Sequence, residues 1–279
     1  MTMSTSHTGT VNDSQRSRAL HHREEVMGTI VTIDVYVDAG VPIDRLAVHM
    51  GRARSVLHRA DDVFSTWNAD SPMSRLRRGE VALDQVPREV VQVLDACRVA
   101  RMLTDGWFDP WALPGGVDPT GYVKGWAAER ALDALRMPEV AAAVVNAAGD
   151  IASFGGMAPD APFRFGVVDP FDPTRPACVI EHVGAVATSG TYERGQHLFN
   201  PNSRRAASAV ALATVTGPEL GLADALATAL AVGGQVVFDR IGSIDGFEAL
   251  TIGHHGELRS THGFPWTRKP SPSTHDHAG

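Results

Sequence analysis

The chain has 279 residues, of which 43% are hydrophobic and 20% charged, and its formal net charge is −7. That is enough apolar material for a substantial core, and the acidic balance argues against a nucleic-acid binder, which would carry a basic face. No apolar run reaches the roughly 18 residues that a membrane-spanning helix needs, so membrane insertion is not expected.

The first 22 residues are polar, with neither an apolar signal core nor a lipoprotein cysteine, and read as a disordered tail on a cytoplasmic protein. A second tail is expected over 268–279, leaving a single domain over 23–267. Within it, "GTIVTIDVYV" (28–37) is rich in β-branched residues and predicts a strand. Residues 43–65 and 88–106 carry apolar residues at helical spacing and predict two helices. Gly106 ends the second. "WFDPWALPGGVDPTGYVKG" (107–125) is dense in Gly, Pro, Asp and aromatics and reads as loop, followed by a short helix "WAAERALDALRM".

"VAAAVVNAAGD" (140–150) reads as a buried strand running into a turn. "FRFGVVDP", "ACVIEHVGAVATSG" and "AASAVALATVTG" predict further strands. A helix over "GLADALATAL" (221–230), an amphipathic "QVVFDRIGSI" and a strand "FEALTIG" complete the chain. Helices early, strands in the middle and a mixed order predict an α+β fold with mixed or antiparallel sheets packed against helices. Cys97 and Cys178 each fall in an apolar segment and are expected to be reduced core residues. No Cys/His spacing suggests zinc.

Several stretches have the composition of chemistry. Asp224 and Thr228, at i and i+4, share one face of an otherwise apolar helix. They fit either a helix-start cap or two hard oxygen ligands for Mg²⁺. Asp109, between an aromatic and a proline, fits a structural turn or an aromatic cradle for a planar ligand. Asp118 and Lys124 flank Gly121 at the mouth of a helix, where a phosphate could sit, although no P-loop pattern is present. "NAAGD" (146–150) is a strand-end turn whose small residues allow close backbone approach. "ATSGTYERGQHLFNP" (187–201) offers Ser189, Tyr192, Glu193 and His197, without the G-x-S-x-G elbow of a hydrolase.

In this order, "MGT" (27–29), "FSTWNADSPMSRL" (64–76), "DGWFDP", "VDPTGYVKGWAAE", "NAAGDI", "ATSGTYER", "HLFNP" and "ADALATA" resemble the ApbE family of FAD:protein FMN transferases. The resemblance implies a two-lobed, T-fold-related architecture around an FAD cleft. It also implies Mg²⁺-dependent transfer of FMN from FAD to a Ser or Thr of an acceptor flavoprotein, with release of AMP. Asp224, Thr228 and the Gly121 carbonyl would then hold the metal. Met27, Trp67, Trp107, Phe108, Asp109, Asp118, Lys124, Asn146, Asp150 and Phe199 would border or contact FAD, and His197 is the candidate base. The alternatives are FAD hydrolysis to FMN and AMP, or FAD binding without turnover. The chain departs from the family pattern at Asn200, where an Asp is usual, and at "SPMSRLR", which lacks the usual acidic residue and ends on Arg77 rather than Asn. The segment between "FDP" and "VDP" is also short.

Overall fold

A computed structural model describes residues 17–38, 41–190 and 198–268. Two strands open the fold as a hairpin, β1 (Ser17–Val26) and β2 (Thr29–Val37). Met27 and Gly28, the two loop residues, have φ of +54° and +66°. Positive φ at both positions is what a type I′ turn requires, and its twist suits the hairpin. Residues 17–22, read from their polarity as part of a tail, lie in β1 and pair with Val37 to Ile33 of β2. The backbone ladder carries an edge strand of largely polar sequence, a contribution that hydropathy does not register.

Helices α1 (Ile43–Phe64), α2 (Pro72–Arg77), α3 (Arg88–Leu103) and α4 (Thr120–Asp133) follow. Then come β3 (Ala142–Ala147), β4 (Asp150–Phe154), β5 (Phe163–Asp169), β6 (Asp172–His182) and β7 (Ala185–Gly190). After the short pair β8 (Phe199–Asn200) and β9 (Arg205–Ala206) come β10 (Leu212–Gly217), α5 (Leu220–Gly233) and α6 (Gln235–Ile241). Strands β11 (Glu248–Ile252), β12 (Leu258–Ser260) and β13 (Trp266–Arg268) end the described chain.

Eight strands form one sheet in the order β1-β2-β3-β4-β7-β10-β11-β12, and β13-β6-β5 form a second. The period-2 alternation of the large sheet sends its residues to two cores. Val31, Ile33, Val145, Ala152, Ala187 and Val215 face the helices. Ile151, Val186, Leu212 and Leu250 meet Val167, Cys178 and Ile180 of the small sheet. The result is helices, large sheet and small sheet in three layers, an α+β fold as the element order predicts. Cys97 lies in the first core and Cys178 in the second, both as buried free thiols. Burial pushes their pKa values up to about 12 and about 11.

Helix α5 sits at the centre of the helical layer. Nearly all its positions are buried, as an apolar helix without a polar face must be. The structure differs from expectation at α4, which begins at Thr120 and so includes glycines read as loop. Gly125 and Gly221 are where α4 and α5 meet. A Cβ on Gly125 would stand 2.5 Å from the Leu220 carbonyl oxygen, and one on Gly221 would stand 2.8 Å from the Tyr122 ring. Glycine is therefore demanded by the close approach of the two helices, against its poor helix propensity.

Candidate active site

The α4–α5 contact brings the paired residues of "ADALAT" to the start of α4. Asp224 is only 3% exposed, and its Oδ2 accepts the Gly125 N–H at 3.2 Å. In a regular α-helix that N–H is given to the carbonyl of Gly121. The position of a Cβ on Gly121 lies 3.6 Å from Thr228 Oγ1. Asp224, Thr228 and the Gly121 backbone are thus adjacent, although Gly121 is about a hundred residues away in sequence. Ser189 joins them from β7, its Oγ 3.3 Å from Thr228 Oγ1. Burial is the larger cause and the neighbouring Asp224 carboxylate the further one that pushes up the Cys97 thiol pKa.

The helix bearing Asp224 is fixed at its N-terminus by a residue of α4. Glu129 Oε2 accepts the Leu220 N–H at 3.2 Å, capping α5 from outside its own sequence. Burial raises the Glu129 pKa, and the bond from Leu220 opposes that shift. No local capping pattern in "TGPELG" could have revealed this partner.

One helical position before Gly125, Lys124 Nζ is 2.5 Å from Asp150 Oδ2. Asp150 is fully buried at the start of β4, and its Oδ1 accepts the Thr188 N–H at 3.1 Å. Asn146 does not share this face. Its register partner is Ile151, which belongs to the opposite core, and its Oδ1 caps the turn by accepting the Gly149 N–H at 2.8 Å.

Asp118 lies just before α4. Its Oδ1 accepts the Thr120 N–H at 3.1 Å and its Oδ2 is 3.5 Å from Arg77 Nη1. Asp109 serves a turn, accepting Arg101 Nε at 2.8 Å and the Trp111 N–H at 3.0 Å. Phe108 is buried and its ring would touch a Cβ on Gly121 at 3.3 Å. Trp107 packs on Gly233, at the far end of α5, and is half-buried. Gly233 is nine residues beyond Asp224, roughly 13 Å along the helix axis. Trp67 is 96% exposed on a loop tied by Ser65 Oγ, which accepts the Trp67 and Asn68 N–H groups. Met27 is half-buried in the hairpin turn and Phe199 is half-buried in β8. Asn200 Oδ1 is engaged in a turn, accepting the N–H groups of Asn202 and Ser203 at 2.9 and 3.0 Å. His197, with Tyr192 and Glu193, lies outside the described residues.

Among the described residues no group of three or more His, Cys, Asp or Glu side chains is placed to hold a metal. The donor set at α5 is of another kind. It combines one buried carboxylate, two hydroxyls and a helix-start backbone, all hard oxygen groups that fit Mg²⁺ better than a softer ion. Among the described residues no helix is long and apolar enough to cross a membrane.

Known proteins share this arrangement of elements. The ApbE family model matches residues 27–115 and 111–250. The FAD:protein FMN transferase of Rhodobacter capsulatus is 32% identical over 155 residues, which are 52% of this chain and 29% of that protein. The chain therefore matches less than a third of that relative's length. The flavin transferase ApbE from Vibrio cholerae superposes with a TM-score of 0.73 at 20% identity, over 91% of this chain and 98% of its own. The apo form of Pseudomonas stutzeri flavinyl transferase ApbE gives 0.73 at 20% identity, over 89% and 96%. The ApbE protein of Thermotoga maritima gives 0.75 at 22%, over 89% and 97%. At such identities the solved structures share the fold. With the family model matched along most of the chain, the conclusion is that this protein belongs to the ApbE family.

Proposed function

We propose that the chain moves FMN from FAD to a Ser or Thr hydroxyl of an acceptor protein, in a Mg²⁺-dependent reaction that releases AMP. The observation that carries this reading is the gathering of Asp224, Thr228 and Ser189 against the first turns of α4, beside the Lys124–Asp150 pair. It is supported by the name of the Rhodobacter capsulatus relative, an FAD:protein FMN transferase.

Asp224, Thr228 and the Gly121 carbonyl would hold Mg²⁺, which when bound supplies positive charge to the diphosphate oxygens. Lys124 offers a second positive charge. Its side chain is 26% exposed, and the buried Asp150 fixes the direction of its ammonium. Trp107 and Trp67 offer flat rings to the planar parts of FAD. The acceptor hydroxyl attacks the phosphorus of the FMN half. The bond from that phosphorus to the bridging oxygen breaks, AMP leaves with the oxygen, and the hydroxyl proton passes to a base, for which His197 is the candidate. Such a reaction depends on positioning and charge rather than on a covalent enzyme intermediate.

The test is incubation with FAD, Mg²⁺ and candidate acceptor proteins, followed by mass spectrometry of the proteins and chromatography of the nucleotides. The expected result is AMP together with an FMN-labelled Ser or Thr peptide. AMP with free FMN and no labelled protein would assign water as the acceptor. Bound FAD without AMP would make the chain a binding protein.

A further inference from the structure

Two departures from the family pattern, Arg77 in place of Asn and the short 110–118 segment, touch each other in the fold. Arg77, the last residue of α2, reaches the segment with all its nitrogens. Nη2 donates to the Pro114 carbonyl at 3.3 Å, Nε to the Gly115 carbonyl at 3.4 Å, and Nη1 to Asp118 Oδ2 at 3.5 Å. The guanidinium and the carboxylate are largely shielded, with side chains 14% and 19% exposed.

The segment is shaped to receive this one side chain. Gly115 and Gly116 have φ of +85° and +101°, a region that L side chains rarely adopt. A Cβ on Gly115 would lie 3.1 Å from Arg77 Nη2, and one on Gly116 would lie 3.3 Å from the Arg77 carbonyl oxygen. The backbone therefore wraps the arginine closely. The planar fork meets several acceptors at once, which the single ammonium of a lysine cannot do. Asp118 is in turn locked to the start of α4 through the Thr120 N–H, one residue before Gly121.

We infer that Arg77 is a positioning residue for FAD: it folds the short segment and aims the Asp118 carboxylate into the nucleotide site. This rests on the reading of the site as an FAD site. A carboxylate there suits the hydroxyl or amino groups of the substrate, and the arginine holds its direction. A clamp that sets a substrate-contacting group can matter as much as the group itself, since about 1 Å of misplacement can cost about 100-fold.

The test is equilibrium FAD binding, followed by flavin fluorescence, for the wild type, Arg77→Ala, Arg77→Lys, Asp118→Ala and the Arg77→Ala/Asp118→Ala pair. Arg77→Ala is expected to weaken binding about 10- to 100-fold and Arg77→Lys to recover only part of that. The double variant should bind no worse than Asp118→Ala alone, because the arginine acts through the aspartate. Arg77→Lys keeps the charge and most of the stem, so it reports on the clamp even if Arg77→Ala does not fold. Wild-type affinity in Arg77→Lys, or losses that simply multiply in the double variant, would overturn the inference. A wild type that binds no FAD overturns the site reading itself and this inference with it.

Discussion

Asp224→Asn and Asp224→Ala separate the structural task of one carboxylate from the metal-holding task proposed for it. Asparagine keeps an oxygen to accept the Gly125 N–H but removes the charge, whereas alanine removes both. Both variants are expected to lose Mg²⁺-dependent AMP release. Only alanine should also lower the free energy of unfolding, by roughly 1–3 kcal/mol, because it withdraws an acceptor from a buried amide. Parallel urea titrations and AMP assays check this. Turnover that persists in Asp224→Asn at limiting Mg²⁺ would rule the residue out as a ligand. At this scale the sequence was informative where spacing alone sets geometry, as at Asp224 and Thr228. It was ambiguous at Asp109, whose carboxylate is engaged by Arg101 and the Trp111 backbone. The dipeptides around an Asp look alike whether it caps a turn or faces a ligand.

Among the elements, the α4–α5 pair shows why part of the fold was hidden. Gly121 and Gly125 weaken a helix by local propensity, so "VDPTGYVKG" reads as loop. The tertiary contact decides otherwise, since only glycine lets α4 approach the Leu220 carbonyl. Gly125→Ala therefore makes a sharp test. In an isolated helix the change would stabilise by about 1 kcal/mol. Here the added methyl must displace backbone and the Asp224 side chain, and a net loss of about 1–3 kcal/mol is expected. Thermal unfolding of Gly125→Ala decides the sign, and a raised melting temperature would mean that the helices separate at little cost. The Glu129 cap of Leu220 was hidden for a related reason, because it joins residues ninety-one apart in the chain. The apolar, alternating strands and the amphipathic α1 and α3 were legible because their periodicity is set by burial of one face.

Over the whole molecule, one sheet separates two cores of unequal size, and each core holds one buried thiol. The smaller core rests on a three-stranded sheet with few buried apolar partners, so it should open at lower cost than the helical core. With increasing urea below the main transition, Cys178 should react with a thiol reagent before Cys97, as read by peptide mass spectrometry. Equal rates would mean that both layers open only together. Both thiols should be inert in the native protein, because burial holds them protonated.

The polar β1 strand has a practical side for anyone who produces the protein. It forms one margin of the large sheet, and Glu24 fastens it to α1 through Arg54 and His58 at 2.5 and 3.1 Å. A protein trimmed to begin at residue 23, where the chain first looks ordered by hydropathy, would lose the partners of Ile33 to Val37. The bared β2 would then offer unpaired backbone groups to the next molecule. The hydrophilic lead-in thus acts as a built-in guard against aggregation, and starting material for crystals or assays should retain Ser17 and the residues that follow.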